Sequence, residues 1–230
     1  MLASTSVAPT GCPIHGAKTV SAHRSERPNA GASPALLVAA TYSAVTLVAV
    51  AIGLFRGAPN VLVCEPLRPV PGGALGAHVV SLALGLALAA ALVFATRWLV
   101  HTKPWAAALH EDLRPFARAL GPEAIVVVAI ASSIGEETLF RGALVPAIGP
   151  IVSSLLFGAL HQLRGRSRVA WWLFATIVGL AFAYLFRFTG SLLGPLVAHA
   201  AVNAANLRFL LTHDPHRTPR LGGLLGGRRS

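Results

Sequence analysis

Two adjacent carboxylates and a guanidinium interrupt an apolar stretch of the sequence. Glu136, Glu137 and Arg141 lie within residues 122–148, which otherwise read as a membrane span. An ionised side chain at the centre of a spanning helix costs about 2.5–3.5 kcal/mol, so charges at that depth normally face the bundle interior and mark function. On a helix, Glu137 and Arg141 are i,i+4 neighbours and can form a structural ion pair. Glu136 points about 100° away and requires partners from other helices.

Imidazole and amide side chains occur in the apolar stretches that follow. His161 lies in residues 151–163, and His199 and Asn203 share one helix face in residues 190–211. A carboxylate, two imidazoles and an amide can activate water and stabilise an oxyanion. The predicted depths of Glu136 and His199 are compatible with one site, whereas His161 can join them only if its span is displaced or tilted. A lone His in an apolar helix is more often a packing residue.

The composition indicates a membrane protein with several spans. Of the 230 residues, 54% are hydrophobic and only 12% are charged, whereas ordinary soluble domains carry about 25% charged residues. Cys12 and Cys64 are too few for a disulfide framework. The Cys12-x-x-His15 pair lies in a polar tail and is weak support for a metal site.

Six apolar stretches are predicted to cross the bilayer, which takes ~20 residues, and the fourth of them is short. They are 34–55, 72–100, 122–148, 151–163, 169–188 and 190–211. The fold predicted for residues 34–211 is therefore all-α, a polytopic transmembrane helix bundle of about six spans. Residues 101–121 carry apolar side chains at helical spacing among charged ones, which predicts either an amphipathic interfacial segment or a solvated connector.

The basic residues are distributed unevenly along the chain. Six spans place both termini on one side, and that side holds fifteen of the 19 Lys and Arg residues. The positive-inside rule therefore predicts that both termini are cytoplasmic. This asymmetry accounts for most of the net charge of +11, so the charge does not indicate nucleic-acid binding. Residues 1–33 are predicted to be a disordered basic tail without a signal peptide, and residues 212–230 a basic Gly/Arg-rich tail.

Three motifs occur in order within residues 122–211. They are Glu136-Glu137-x-x-x-Arg141, Phe157-x-x-x-His161 and His199-x-x-x-Asn203. These motifs, with the flanking residues 140–142 and 194–195, resemble those of the CPBP family. That family comprises intramembrane CAAX-type proteases and bacteriocin-processing or self-immunity proteins, related to the type II CAAX prenyl endopeptidases. The resemblance covers some 90 residues and makes 122–211 the predicted catalytic core.

The resemblance implies an intramembrane endopeptidase that hydrolyses peptide bonds of membrane-associated or CAAX-like substrates. Glu136 and His161 would activate the attacking water, and His199 and Asn203 would stabilise the oxyanion. The supporting residues would be Glu137, Arg141 and Phe157. The implied partners are the lipid bilayer and a peptide or protein substrate, and the implied location is a cell membrane, with a bacterial origin compatible with the charge pattern.

The sequence leaves two mechanisms open for water activation. Glu136, His161 and His199 could supply three ligands to a catalytic zinc ion, with water in the fourth position. Family members are commonly labelled metalloproteases. No His-Glu-x-x-His helix is present, and a glutamate mechanism without metal would use the same residues.

Two other classes of function compete with proteolysis. A non-proteolytic immunity or scaffold protein could bind a partner through the same fold, and its phenotype would survive Glu136→Ala. A transporter could use the acidic and imidazole groups as a proton relay. Transport predicts internal repeats, and the sequence has no evident repeat.

Overall fold

The computed structural model describes residues 34–67, 69–163 and 165–215, which form a bundle of helices. The predicted tail 1–33, and residues 216–230 of the second tail, lie outside the described residues. The helices are α1 (Pro34–Phe55), α2 (Gly73–Thr102), α3 (Pro104–Glu136), a π-helical segment (Glu137–Leu144), α4 (Val145–Leu160), α5 (Arg168–Thr189) and α6 (Leu193–Thr212). The part described contains no strand, only an isolated bridge between Val63 and Ser191. The all-α prediction is therefore confirmed.

Four helical stretches are long and apolar enough to cross a membrane. They are Leu36–Phe55, Gly73–Thr102, Pro104–Leu160 and Arg168–Thr189. Helix α6 is not among them because His199, Asn203, Asn206 and Arg208 lower its mean hydropathy. Large side chains such as Leu47 and Phe94 are exposed, as expected on a surface that faces lipid. The chain is a multi-pass membrane protein, while six spans and two cytoplasmic termini stay predictions.

Two Gly-Pro dipeptides break the long third stretch. Gly121 has φ 73° and ψ 168°, and Gly149 has φ 82° and ψ 164°, so neither is helical. A positive φ is unfavourable for residues with a Cβ, and a following Pro disfavours the helical region for the residue before it. The predicted turn at Gly149-Pro150 is therefore present as a break within α4.

The segment before Gly121 is an amphipathic helix. It runs from Pro104 to the break, with Leu109 and Ala117 buried against the bundle and Trp105 and Phe116 exposed. Ala117 belongs to an apolar cluster that also contains residues of α6. Of the two interpretations of residues 101–121, the structure thus favours an amphipathic segment over a solvated connector.

Glycine residues allow close contact between helices of the bundle. Helix α6 packs against α2 and α3, and α1 packs against α3 and the π-helical segment. A Cβ placed on Gly85 of α2 would lie 2.4 Å from the carbonyl oxygen of Gly194 on α6. Such contacts are typical of membrane helix interfaces, where small residues permit close van der Waals packing. The α2–α6 contact fixes the helix that carries His199.

Candidate active site

The acidic pair lies where α3 changes to a π-helix. Glu136 is the last residue of α3, and Glu137 is the first of the π-helical segment. The predicted span over 122–148 is helical in the structure, with a π-helical segment in place of the regular α-helix after Glu136. Ser153 Oγ donates to the carbonyl oxygen of Phe140 at 2.7 Å, which satisfies a backbone acceptor within the wider turn. π-Helical turns are rare in proteins, and those that occur are often found at functional sites.

Glu137 and Arg141 form an ion pair in the interior. Arg141 Nη1 lies 2.9 Å from Glu137 Oε1, and their side chains are 1% and 0% exposed. Arg141 Nη2 also donates to the carbonyl oxygen of Gly179 on α5 at 3.2 Å. The guanidinium lies over the Phe157 ring, 4.3 Å from its centroid. The buried charge is thus held by a carboxylate, a carbonyl and an aromatic face.

Glu137 also orients His199. The Nδ1 atom of His199 lies 2.6 Å from Glu137 Oε1. An ionised carboxylate can only accept, so Nδ1 carries the hydrogen and donates it. The opposite ring nitrogen, Nε2, then points at Glu136 Oε2 from 3.8 Å. With Nδ1 committed to Glu137, Nε2 is the ring atom of His199 that is available to the site.

His161 reaches the same carboxylate from the end of α4. Its Nδ1 lies 2.7 Å from the carbonyl oxygen of Phe157, which only accepts, so Nδ1 again carries the hydrogen. Its Nε2 lies 3.8 Å from Glu136 Oε2. The sequence predicted this span to end at residue 163, and that boundary is wrong, because α4 ends at Leu160. His161 is the C-cap residue of α4 and lies beside Glu136.

The two oxygens of Glu136 have different surroundings. Tyr42 on α1 donates its hydroxyl hydrogen to Oε1 at 2.8 Å. Oε2 is buried, faces the Nε2 atoms of His161 and His199, and has no hydrogen-bond partner among the described residues. At 3.8 Å these contacts are too long for direct hydrogen bonds, and a separation of this size suits a bridging water. The side chain of Glu136 is 13% exposed, so the site is enclosed but not sealed.

Asn203 lies one turn beyond His199 on α6. Its Nδ2 donates to Ser132 Oγ at 3.1 Å, and Ser132 lies one turn before Glu136 on α3. The amide retains a second N–H for another acceptor. Asn206, a further turn along, instead accepts from Thr96 and Arg97 of α2. Of the two amides on α6, Asn203 therefore contacts the helix that carries Glu136, whereas Asn206 contacts α2.

The side chains of this site are spaced more widely than the ligands of a zinc ion. No group of three or more His, Cys, Asp or Glu residues in the described part of the chain is arranged to hold a metal ion. Ligand atoms on a tetrahedral zinc ion at ~2.0–2.1 Å lie about 3.4 Å apart, and each of the two Nε2 atoms lies 3.8 Å from Glu136 Oε2.

The fold and site define a helical membrane protein with an acid–imidazole centre inside the bundle. A family model described as "Type II CAAX prenyl endopeptidase Rce1-like" matches residues 120–205, which include all three motifs. The resemblance to the CAAX protease family is therefore confirmed, and residues 120–205 are similar to the Rce1-like family.

One curated relative is similar to part of the chain. The "Uncharacterized protein YpbD" of Bacillus subtilis is 37% identical over 101 residues, which is 40% of this chain and 52% of that protein. The chain thus spans about half the length of the relative that it matches. No solved structure matches the chain.

Two residues of the site were missed by sequence reasoning. Ser132 precedes the acidic pair in an apolar helix, and Tyr42 lies in the first span, far from every motif. A hydroxyl in a membrane span needs a partner, since none is available from lipid. That general signal could have marked Tyr42 as a polar group facing the bundle, but it could not have named Glu136 as its partner.

Proposed function

We propose that this chain is an intramembrane endopeptidase in which Glu136 and His161 activate the attacking water. The observation that carries the proposal is the buried Oε2 atom of Glu136, which has no hydrogen-bond partner in the described part of the chain and faces two imidazole nitrogens at 3.8 Å. Such an oxygen can accept a proton, and the two nitrogens can orient the molecule that supplies it. The family match to a prenyl endopeptidase model supports hydrolysis of a peptide bond over other reactions.

The reaction begins with a water molecule between Glu136 and His161. Glu136 Oε2 takes one proton from the water as its oxygen bonds to the carbonyl carbon of the scissile peptide. Because its Nδ1–H is committed to Phe157, His161 accepts a hydrogen bond at Nε2 from the other O–H of the water and holds the water in line. The carbonyl electron pair moves to oxygen and leaves a tetrahedral oxyanion.

His199 and Asn203 stabilise that oxyanion. His199 donates to it from Nε2 when both ring nitrogens carry hydrogen, and Glu137 at 2.6 Å from Nδ1 balances the imidazolium charge. Asn203 contributes the N–H that is not bonded to Ser132. Preorganised donors in a water-poor site typically contribute ~2.7–4 kcal/mol each to the transition state.

Collapse of the intermediate completes the hydrolysis. The carbonyl double bond re-forms, the carbon–nitrogen bond breaks, and the leaving nitrogen takes the proton held by Glu136. The products are a carboxylic acid and an amine, and Glu136 returns to its ionised form. The substrates proposed are membrane-associated polypeptides, because the site lies inside a bundle whose outer surface is apolar.

The test is cleavage of membrane-anchored polypeptides by the purified protein in proteoliposomes, followed by mass spectrometry. We expect two fragments that together are heavier than the substrate by one water molecule, and no fragments from Glu136→Gln. Activity should survive a zinc chelator, and its loss would instead favour the metal mechanism.

The competing immunity or scaffold function predicts a different outcome. Neither the wild type nor Glu136→Gln would cleave a substrate, and a cellular phenotype of the wild type would persist in Glu136→Gln. That combination would overturn the proposed endopeptidase.

A further inference from the structure

We infer that Tyr42, on a helix outside the segment that matches the family, is a positioning residue that fixes which oxygen of Glu136 faces the imidazoles. The inference rests on the proposed function, since it assigns a role within the same reaction. Tyr42 lies in α1, and the family match begins at residue 120.

The hydrogen bond from Tyr42 constrains a torsion that is otherwise loose. The terminal torsion of a Glu side chain is broad and roughly two-fold, so an unrestrained carboxylate samples many orientations. Tyr42 holds Oε1 at 2.8 Å, and a phenol donating to a carboxylate is a strong, charge-assisted hydrogen bond. With Oε1 held, Oε2 is the oxygen left facing His161 and His199.

Close approach of α1 to α3 makes this hydrogen bond possible. Gly135 precedes Glu136, and a Cβ at position 135 would lie 2.9 Å from both the Cδ1 atom and the carbonyl oxygen of Tyr42. Only a residue without a side chain allows α1 to approach α3 so closely. The missing Cβ of Gly135 and the hydroxyl of Tyr42 thus act together to bring a donor to the carboxylate.

A purely structural role for Tyr42 makes a different prediction. The ring alone could serve as packing against α3, and Phe would then replace it without consequence. A positioning role requires the hydroxyl, because misplacing a catalytic group by ~1 Å can cost about 10²-fold in rate. Tyr42→Phe therefore separates the two roles, since it removes only the oxygen.

The protein contains two tyrosines, which provides a matched control. Tyr184 lies on α5 and is 45% exposed. We expect Tyr42→Phe to lower kcat by about 10²-fold, the loss that a ~1 Å misplacement of a catalytic group can cause, with KM and Tm unchanged. Tyr184→Phe should keep the wild-type kcat.

A spectroscopic measurement tests the hydrogen bond independently of activity. Protein labelled with ¹³C at the Cζ of tyrosine gives two signals, which Tyr184→Phe assigns. Glu136→Gln should shift the Tyr42 signal and leave the Tyr184 signal in place. An unshifted Tyr42 signal would overturn the inference even in an active enzyme.

The kinetic outcomes are equally decisive. A shifted signal with wild-type kcat in Tyr42→Phe would show that the bond is structural only and would refute the positioning role. A wild-type protein that cleaves nothing would overturn the proposed function, and the role of Tyr42 in catalysis with it, while the labelled signals would still report the bond.

Discussion

The buried pair of Glu137 and Arg141 has a large predicted effect on stability. We expect Glu137→Gln to lower the free energy of unfolding by about 3 kcal/mol. Removing one partner of a buried pair leaves an uncompensated charge and typically costs ~3–5 kcal/mol. The lower end applies because Arg141 keeps the Gly179 carbonyl and the Phe157 ring. At ~2–4 °C per kcal/mol for a chain of this size, Tm should fall by about 6–12 °C.

Thermal unfolding of the detergent-purified variants measures this effect. Glu136→Gln is the control, because its carboxylate has no arginine partner in the described structure, and its Tm should stay close to that of the wild type. The double variant Glu137→Gln/Arg141→Leu should recover much of the loss, since it removes the unpaired charge as well. A wild-type Tm for Glu137→Gln, or a double variant no more stable than the single one, would refute the structural role of the pair.

Two further variants test the helix contact and the second imidazole. Gly85→Ala should destabilise the protein by about 1–3 kcal/mol, because its Cβ would lie 2.4 Å from the Gly194 carbonyl oxygen; equal chemical stability to the wild type would contradict the packing. His161→Ala should reduce cleavage by about 10²–10⁴-fold with little change in Tm, since its side chain is 24% exposed. Unimpaired cleavage by this variant would exclude His161 from water activation.

The helical class and the motif residues could be predicted because both depend on local pattern. Apolar runs near the length of a span predicted the helices, and α1 begins and ends where expected, at Pro34 and Phe55. The i,i+4 relation predicted the Glu137–Arg141 pair, which the structure contains. The Gly-Pro pair at residue 149 predicted a break, since proline and a left-handed glycine interrupt a helix wherever they occur together.

Contacts between helices that are distant in sequence could not be predicted in the same way. The hydrogen bond of Tyr42 to Glu136 joins residues 94 positions apart, and no spacing rule reports such a pairing. The span predicted for His161 was 151–163, whereas α4 covers Val145–Leu160 and places His161 at its C-terminal cap, where it meets Glu136. The π-helical turn was missed because its extra residue is stabilised by a side chain from α4, Ser153, rather than by a local signal.

The roles of His199 and Glu137 also depended on geometry. The resemblance implied an oxyanion role for His199 and a supporting role for Glu137. The structure adds a direct contact between them, with Glu137 accepting from both Arg141 and His199 through one oxygen. A single buried carboxylate therefore neutralises the arginine and orients the imidazole, which links the stability of the bundle to the arrangement of the site.

The central claim is that Glu136 takes the proton of the attacking water. The most direct test is the single-turnover rate of peptide-bond cleavage by Glu136→Gln, compared with Glu123→Gln, a substitution of an exposed glutamate on the same helix. We predict a loss of at least ~10²-fold for Glu136→Gln, the lower bound typical of general acid–base catalysis, with unchanged Tm. Glu123→Gln should cleave at the wild-type rate. Comparable rates for the two variants would contradict the account.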